Sequence, residues 1–389
     1  MPSEANRKRR RRGRRLLIPF AVLLSSQAVF GAALSWVLPS WAAALSALLG
    51  FVLLVRLTLK IWADPPRPVW RTRLLDEPMF LHFGASMGSL VILPVALLAA
   101  GAASALGGAR FDFRSVCLLG YGVGWVLAAY ALWVERRRVR VRELEVSIEG
   151  LPLPFDGYRI VQLTDLHIGS FDRLARGLFW AELANSTRAD LALCTGDLVT
   201  SGPFYYEDAA KVLGALTARD GTITVLGNHD QWEPERFARL IEAEGVRVLR
   251  NQWVTVERDG AAIVVAGLDD HRFTKRDDLG LALRGRPDGV TTILLSHYPT
   301  FFKAAAARGV DLVLSGHTHN GQVGLPFIGD RWNFARLTGQ ATRGLFTQDK
   351  TQLYVSAGLG TSGPPLRLGV LPEIAVFTLR RRASGPLPG

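Results

Sequence analysis

The sequence predicts an α-helical membrane domain followed by an α/β domain, and three observations support this division. Apolar stretches of about 20 residues, the length that crosses a bilayer, occupy the first third of the chain. Short runs rich in Val, Ile and Leu then alternate with helical patterns, as in α/β folds. Residues 1–145 carry 20 Lys and Arg against 8 Asp and Glu, whereas residues 146–389 carry 26 of each. Because this basic excess flanks apolar stretches, it indicates a membrane protein, and we expect no nucleic-acid partner.

Four membrane spans are predicted within residues 16–134. The four apolar stretches are Leu16–Leu38, Trp41–Leu59, Phe83–Leu106 and Ser115–Val134. A cleaved signal peptide is a weaker interpretation of the first stretch, because its 23 residues exceed a typical signal and three further stretches follow. The pair Arg14-Arg15 raises the alternative of a twin-arginine signal, but it lies within a longer basic run.

The distribution of Lys and Arg predicts the orientation of these spans. With four spans, 18 positive charges lie on one side of the membrane and 2 on the other. The positive-inside rule then places both termini in the cytoplasm, so we expect a multi-pass protein of the cell (inner or plasma) membrane with a cytoplasmic catalytic domain. Residues 1–15 are predicted as a basic cytoplasmic tail, residues 135–150 as a basic linker and residues 381–389 as a disordered tail.

The α/β domain is predicted to span residues 151–380. Eight short runs have the length and composition of buried strands: Arg159–Leu163, Leu191–Cys194, Thr222–Leu226, Ala262–Ala266, Thr292–Leu295, Asp311–Leu314, Leu353–Ser356 and Ile374–Leu379. Helical patterns lie between several of them, at Asp172–Asn185, Glu207–Ala218, Pro234–Glu244 and Pro299–Arg308. Asp172 is a good N-cap residue for the first of these helices.

Polar side chains follow five of these strands at their carboxyl ends, the edge where α/β sheets bind ligands. The five clusters are Asp165-Leu166-His167, Gly196-Asp197, Gly227-Asn228-His229-Asp230, Ser296-His297 and Gly316-His317-Thr318-His319. Carboxylate, amide and imidazole groups together are ligands for borderline divalent metals. Their number suits two ions that share one carboxylate. The glycines in the clusters are expected to let the backbone turn tightly toward the ions.

This series of motifs resembles the calcineurin-like metallophosphoesterases, over roughly residues 155–380. The segments Gly358-Leu359-Gly360-Thr361-Ser362 and Leu371-Pro372-Glu373-Ile374 look like the bacterial branch whose members often carry N-terminal membrane segments. The chain departs from that branch at Asn320, where a second Gly is usual. The resemblance implies a four-layer α/β/β/α sandwich with two central sheets.

The resemblance also implies the role of each polar side chain. Asp165, His167 and His319 are expected to hold one metal ion, Asn228, His297 and His317 the other, and Asp197 to bridge them. The expected cofactor is two divalent ions, Mn, Fe or Zn, with Mn favoured, and a hydroxide shared between them is the expected nucleophile. His229 is the expected general acid or charge stabiliser for the leaving oxygen. Asp230 is expected either to orient His229 or to cap the helix that follows.

The expected reaction is hydrolysis of a phosphodiester or pyrophosphate. A phosphomonoesterase or protein phosphatase is one alternative, and a membrane sensor or scaffold with a degenerate site is another. The segment Leu325–Phe346 mixes Phe and Trp with Arg, and it suggests a lip for a phosphorylated amphiphile such as a lipid-linked substrate. A loop packed on the core is the alternative interpretation of this segment. His271 is expected in a surface loop, and the sequence leaves the oligomeric state open.

Overall fold

The chain folds into two compact units. The computed structural model describes residues 22, 24–60, 64–107, 112–269, 277–325, 329, 335–336 and 341–382. Residues 1–62 and 68–134 form the first unit, called the helical unit here, and residues 63–67 and 135–389 form the second, the sheet unit. The predicted basic tail, residues 1–15, and His271 lie outside the described residues.

The described part of the helical unit contains four apolar helices, α1 (Leu24–Leu34), α2 (Ser40–Lys60), α3 (Val69–Ala105) and α4 (Phe113–Trp133). Within the described residues, two helices are long and apolar enough to cross a membrane, and they are α3 and α4. The apolar parts of α1 and α2 are shorter, and the predicted first span begins outside the described residues. Two of the four predicted spans therefore have the required length here.

Small residues and a polar network hold the helical unit together. A Cβ atom at Gly124 of α4 would lie 2.6 Å from the carbonyl oxygen of Ala85 in α3, so the close approach of these helices requires glycine. The Gln27 amide nitrogen donates to the Ser86 hydroxyl (3.1 Å), and the Gln27 oxygen lies 3.1 Å from His82 Nε2. His82 Nδ1 lies 3.0 Å from the Tyr121 hydroxyl. These buried polar groups thereby satisfy one another in apolar surroundings.

The strands among the described residues of the sheet unit form two six-stranded sheets. The first has the order β1-β12-β2-β3-β4-β5 and the second β10-β11-β9-β8-β7-β6. The strands are β1 (Arg140–Glu149), β2 (Arg159–Leu163), β3 (Leu191–Thr195), β4 (Thr222–Val225), β5 (Arg247–Val248), β6 (Gln252–Arg258), β7 (Ala261–Gly267), β8 (Thr292–Leu295), β9 (Leu312–Ser315), β10 (Gly344–Gln348), β11 (Thr351–Val355) and β12 (Glu373–Arg382). Strands β2 to β5 are parallel, and so are β7, β8, β9 and β11.

Helices cover the outer faces of the two sheets, which gives the predicted α/β/β/α layers. The described helices are α5 (Leu174–Asn185), α6 (Tyr206–Gly214), α7 (Pro234–Ala243), α8 (Leu279–Ala282) and α9 (Phe302–Ala306). Ile160 and Leu193 of the first sheet share one apolar core with Ile263 and Ile293 of the second. A second core joins α5, α6 and α7 to the first sheet, and a third joins α8 and α9 to the second. Burial on both faces explains why these strands read as continuous apolar runs.

The predicted basic linker, residues 135–150, is wrong, because most of it is strand β1. This strand pairs in parallel with β12 over ten positions, from Arg140 beside Glu373 to Glu149 beside Arg382. Leu144, Val146 and Ile148 alternate with polar residues, a period typical of a strand that has one exposed face. The arginines at its start favoured the interpretation as a membrane flank. Strand β12 also continues to Arg382, and residues 383–389 lie outside the described residues.

A buried carboxylate ties the two sheets to each other. Glu373 of β12 is fully buried, and its Oε1 accepts a hydrogen bond from the Tyr354 hydroxyl of β11 at 2.6 Å. Its Oε2 forms an ion pair with the buried Arg343 guanidinium. The Glu373 carboxylate raises the pKa of Tyr354, after the larger effect of burial. The structure thus gives the Leu371–Ile374 segment a structural role at the join between the sheets.

We expect Glu373→Ala to destabilise the sheet unit by about 3–5 kcal/mol, because it leaves the Arg343 charge buried without its partner. Thermal unfolding in detergent measures the loss. The matched control is Glu143→Ala, which removes an exposed carboxylate 3.0 Å from Arg159 and is expected to cost about 0–1 kcal/mol. Equal melting temperatures for the two variants would contradict this role.

Candidate metal centre

The parallel strands bring the polar clusters of the sequence to one edge of the sheet unit. Strands β2, β3 and β4 end just before Asp165, Asp197 and Asn228, and strands β8 and β9 end just before His297 and His317. A backbone hydrogen bond from Asp165 N to Gly196 O (2.9 Å) joins the first two strand ends. Because β2, β3 and β4 are parallel in one sheet and β8 and β9 are parallel in the other, residues far apart in sequence meet here.

The first group of side chains is Asp165, His167 and His319, all of them buried. The Nε2 atoms of His167 and His319 lie 3.1 Å apart, and the two rings are stacked with centroids 5.0 Å apart. His319 Nε2 also lies 3.3 Å from Asp165 Oδ1. Three possible ligand atoms therefore converge on one point.

The second group is Asp197, His297 and His317. His297 Nε2 lies 3.2 Å from Asp197 Oδ2 and 3.2 Å from His317 Nδ1. His297 donates its Nδ1–H to the carbonyl oxygen of Thr195 at 2.8 Å. A hydrogen bond of this kind fixes the tautomer and directs the other ring nitrogen toward a metal.

Asp197 lies between the two groups. Its Oδ2 atom is 3.2 Å from His297 Nε2 in one group and 3.8 Å from His167 Nε2 in the other. Its Oδ1 atom accepts a hydrogen bond from the His229 backbone amide at 2.8 Å. Asn228, beside it, accepts from the Tyr298 hydroxyl at 2.9 Å through its Oδ1 atom. An amide oxygen has two lone pairs, so this bond leaves Asn228 able to coordinate a cation.

Burial and mutual charge control the protonation of the cluster. Burial, with the neighbouring His229, lowers the pKa of His167 to about 3, and burial beside His167 lowers the pKa of His319. Burial also lowers the pKa of His297, but the Asp197 carboxylate outweighs it and raises that pKa to about 10. His167 and His319 are thus neutral at pH 7, the form of imidazole that binds metals.

The donor set fits divalent cations. His167 and His319 are neutral and buried, and their Nε2 atoms lie 3.1 Å apart, so both nitrogens face the same point. Among the described groups, His167 Nδ1 is buried without a hydrogen-bond partner. Carboxylate, imidazole and amide donors together suit Mn, Fe or Zn. A cation between these atoms would compensate the cost of burying them.

The backbone is strained at the predicted ligands. Asp165, His167, Asp197, His317 and His319 all have positive φ angles, between 46° and 69°. Non-glycine residues rarely adopt this conformation, and it is concentrated at functional sites. Asn320 also lies in the left-handed region, at φ 48° and ψ 35°. Asn tolerates this region better than most residues, which explains how it stands where the related branch has Gly.

The glycines of the clusters act in two ways. Gly196 has a φ of +87° and provides the expected tight turn. Gly227 and Gly316 instead permit close approach, because a Cβ at Gly227 would lie 2.3 Å from Asp197 Oδ1 and one at Gly316 would lie 2.2 Å from Asp165 Oδ2. The expectation of a tight turn is therefore met at one of these three positions, and the other two keep space for carboxylates.

The comparisons with known proteins agree with this geometry. Residues 158–321 match the family model described as calcineurin-like phosphoesterase. The uncharacterized metallophosphoesterase YkuE of Bacillus subtilis (strain 168) is 34% identical over 257 residues, which cover 64% of this chain and 89% of that protein. This chain belongs to the calcineurin-like phosphoesterase family.

Two further proteins are similar to this phosphoesterase. An uncharacterized metallophosphoesterase of Aquifex aeolicus (strain VF5) is 31% identical over 267 residues, covering 67% of this chain and 98% of that protein. A transmembrane protein with metallophosphoesterase domain from Danio rerio is 32% identical over 270 residues, covering 66% of this chain and 61% of that protein. The match spans less than two thirds of the Danio rerio protein.

His229 and Asp230 have different partners from those expected. His229 donates its Nδ1–H to the carbonyl oxygen of Thr200, and its Nε2 atom lies 4.0 Å from Asp197 Oδ2. Asp230 does not orient this ring, because its carboxylate accepts from the backbone amides of Leu198 (2.9 Å) and Gly227 (2.8 Å). It also lies four residues before helix α7 and does not cap it. Asp230 therefore joins the loops after β3 and β4 of the phosphoesterase.

Arg367 is a site residue that the sequence did not reveal. Its guanidinium is fully buried, and Nη2 lies 3.4 Å from His319 Nδ1 while donating to the carbonyl oxygens of Ala357 (2.9 Å) and Gly360 (2.6 Å). Gly360 N in turn donates to Asp165 O at 2.7 Å. Arginine side chains in loops are usually exposed, and no local sequence pattern distinguishes Arg367 from them.

We expect Gly316→Ala to weaken Mn²⁺ binding about 10–100-fold, because the added Cβ displaces the Asp165 carboxylate. Titration of metal-stripped protein measures the affinity. The control is Gly122→Ala, where a Cβ would meet no atom within 4 Å. Unchanged Mn²⁺ affinity in a folded Gly316→Ala protein would show that this contact does not matter for the site.

Proposed function

We propose that this protein is a membrane-anchored phosphoesterase with two metal ions that hydrolyses a phosphodiester or pyrophosphate. One observation carries the proposal. Asp197 Oδ2 lies within 4 Å of imidazole nitrogens from both groups of side chains, which is where a bridging ligand is needed. Family membership supports hydrolysis of phosphoesters as the reaction.

The proposed ligands divide between two ions. Asp165, His167 and His319 hold the first, Asn228, His297 and His317 hold the second, and Asp197 is shared. Two divalent ions held by these residues, with Mn²⁺ favoured, would supply the charge that polarises a phosphoryl group and lowers the pKa of water. The chain contributes the arrangement of its donors, which the left-handed backbone at five of these positions maintains.

His229 is the proposed general acid. Because its Nδ1–H is bound to the Thr200 carbonyl oxygen, the ring presents Nε2 on the side of Asp197. The side chain is about one quarter exposed, so it can meet a substrate and exchange protons with solvent. A protonated Nε2 can donate to the leaving oxygen as the bond to phosphorus breaks. Asp230 supports this step through the backbone, by fixing the loop that carries His229.

The order of the chain supports placing the sheet unit and the segment between α2 and α3 on the same side of the membrane. Residues 63–67 belong to the sheet unit, although they precede α3, and residues 135–389 of the same unit follow α4. The pair α3 and α4 then crosses the membrane twice and returns to the same side. Arg67 lies in this segment, and Lys60 at the end of α2 and Arg71 and Arg73 at the start of α3 flank it, so the proposed side is the cytoplasm.

A lipid-linked substrate is the finer part of the proposal. Phe204 and Trp232 are 52% and 58% exposed. In sequence, Trp232 closely follows His229, the proposed acid, and Phe204 closely follows Thr200, whose carbonyl oxygen accepts the hydrogen bond from His229. Exposed aromatic side chains beside a polar site suit a ligand that has an apolar portion. Much of the predicted aromatic lip, including Phe327, Trp332 and Phe334, lies outside the described residues.

The test of the metal assignment is Asp197→Asn. We expect loss of activity and of bound metal, because both ions lose a negative ligand. Activity on generic phosphodiesters and metal content are measured on the same detergent-purified sample. Normal turnover with metal still bound would remove the proposed bridge.

His229→Gln separates chemistry from binding. We expect metal content to remain and kcat to fall about 10²–10⁴-fold, with a smaller loss for substrates whose leaving groups need no proton. Steady-state kinetics on two diesters that differ in leaving-group pKa measures this difference. A parallel fall in metal stoichiometry would make His229 a ligand instead of an acid.

The substrate class is tested with matched diesters that do or do not carry acyl chains. We expect a higher kcat/KM for the acylated diester, and a loss of this preference in Phe204→Ala with Trp232→Ala. Phe179→Ala on helix α5, which removes another exposed ring (45%), is the control and should keep the preference. Equal efficiency on both substrates in the unaltered protein would leave a phosphoesterase without lipid selectivity.

A further inference from the structure

The short segment Asp64–Arg67, which links two helices of the helical unit, packs within the sheet unit. Asp64 is only 8% exposed there. Its Oδ2 atom accepts a hydrogen bond from the Ser170 backbone amide at 2.8 Å, and its Oδ1 atom accepts one from the Ser170 hydroxyl at 2.5 Å. A buried carboxylate that receives two hydrogen bonds is a strong and specific contact.

The local sequence leaves space for this carboxylate beside a proposed metal ligand. A Cβ at Gly169 would lie 2.6 Å from Asp64 Oδ2 and 2.3 Å from Thr200 Oγ1, so glycine is required. Thr200 Oγ1 donates to the His167 carbonyl oxygen at 2.7 Å. Asp64 therefore packs against the turn that begins at His167, whose own backbone is in the left-handed region.

A second connector meets the same turn. Residues 135–137 follow helix α4, and the Arg136 guanidinium lies 3.4 Å from the buried Asp172 carboxylate. This pairing explains why Asp172 does not cap helix α5, which has Arg173 at its N-cap. Arg173 also donates to the carbonyl oxygen of Arg67 at 2.7 Å. Both segments that join the helical unit to the sheet unit thus contact residues 170–173.

We propose that Asp64 is a positioning residue for the metal centre, so that the connector between α2 and α3 forms part of the active site and is more than a tether. It acts through Ser170 and Gly169 on the His167 turn. The proposal rests on the proposed role of His167 as a metal ligand. It adds that full metal affinity requires a residue more than 100 positions earlier in the chain, outside the region that matches the family.

The experiment uses the full chain in detergent, stripped of metal and titrated with Mn²⁺. Asp64→Ala and Gly169→Ala should each weaken Mn²⁺ binding about tenfold or more, as loss of outer ligand support does. Asp64→Asn keeps one acceptor and should lie between Asp64→Ala and the unaltered protein. At saturating Mn²⁺, kcat of Asp64→Ala should recover toward the unaltered value while KM for the diester stays the same.

The matched control is Asp190→Ala. This variant also removes a carboxylate that accepts from a backbone amide, that of Arg159 at 2.8 Å, but at the amino ends of β2 and β3, away from the metal centre. Its melting temperature should fall with no change in Mn²⁺ affinity. If Asp64→Ala behaves in the same way, Asp64 has only a structural role and the proposal is overturned.

Two further results keep the test decisive. Ser170→Ala removes the hydroxyl contacts with Asp64 Oδ1 and the Tyr205 hydroxyl but keeps the backbone bond to Asp64 Oδ2. It provides a milder variant if Asp64→Ala fails to fold, and unchanged Mn²⁺ affinity in it and in Asp64→Asn would overturn the proposal. If the unaltered protein binds no Mn²⁺, the proposed function itself fails. If it binds two ions and Asp64→Ala binds them equally well, only the role of Asp64 fails.

Discussion

The burial of many ligand atoms in one small volume is the constraint on which the rest of the sheet unit depends. Asp165, Asp197 and three imidazoles, those of His167, His297 and His319, are nearly inaccessible to solvent. Buried carboxylates and lone pairs are costly unless a cation or hydrogen bonds compensate them. Hydrogen bonds satisfy part of this requirement, since backbone amides reach both carboxylates. Divalent cations at the proposed sites would satisfy the remainder.

This constraint explains the unusual backbone around the site. Five ligand positions adopt left-handed angles, which other contacts must stabilise. Buried groups from distant parts of the chain provide those contacts. Asp230 accepts hydrogen bonds from backbone amides of two loops. Arg367 donates to the carbonyl oxygen of Gly360, which is next to Asp165, and Asp64 accepts from the amide of Ser170, which follows His167. The segment Asp64–Arg67 belongs to this supporting set.

The sequence predicted the parts of the fold whose signal is local. All eight strands predicted as apolar runs are present, because burial on both faces leaves an unbroken pattern. Strands β1, β5, β6 and β10 were missed, since they are short or have an exposed polar face. The side chains of the candidate metal centre could be located from the sequence because their residue types and their places after strands are informative, and their roles as metal ligands stay a prediction. Arg367 and Asp64, and the hydrogen-bond partners of Asp230, could not be predicted, because the groups that these side chains contact are backbone atoms or lie far away in the sequence.

The central claim is that two cations share Asp197, and the number of metal ions bound by each chain tests it most directly. Metal-stripped full-length protein is titrated with Mn²⁺ while electron paramagnetic resonance counts the free ion and detects coupling between bound ions. The account predicts two Mn²⁺ per chain with a spin-coupled signal, and loss of the coupling in Asp197→Asn. A single bound Mn²⁺ in a fully active protein would contradict it.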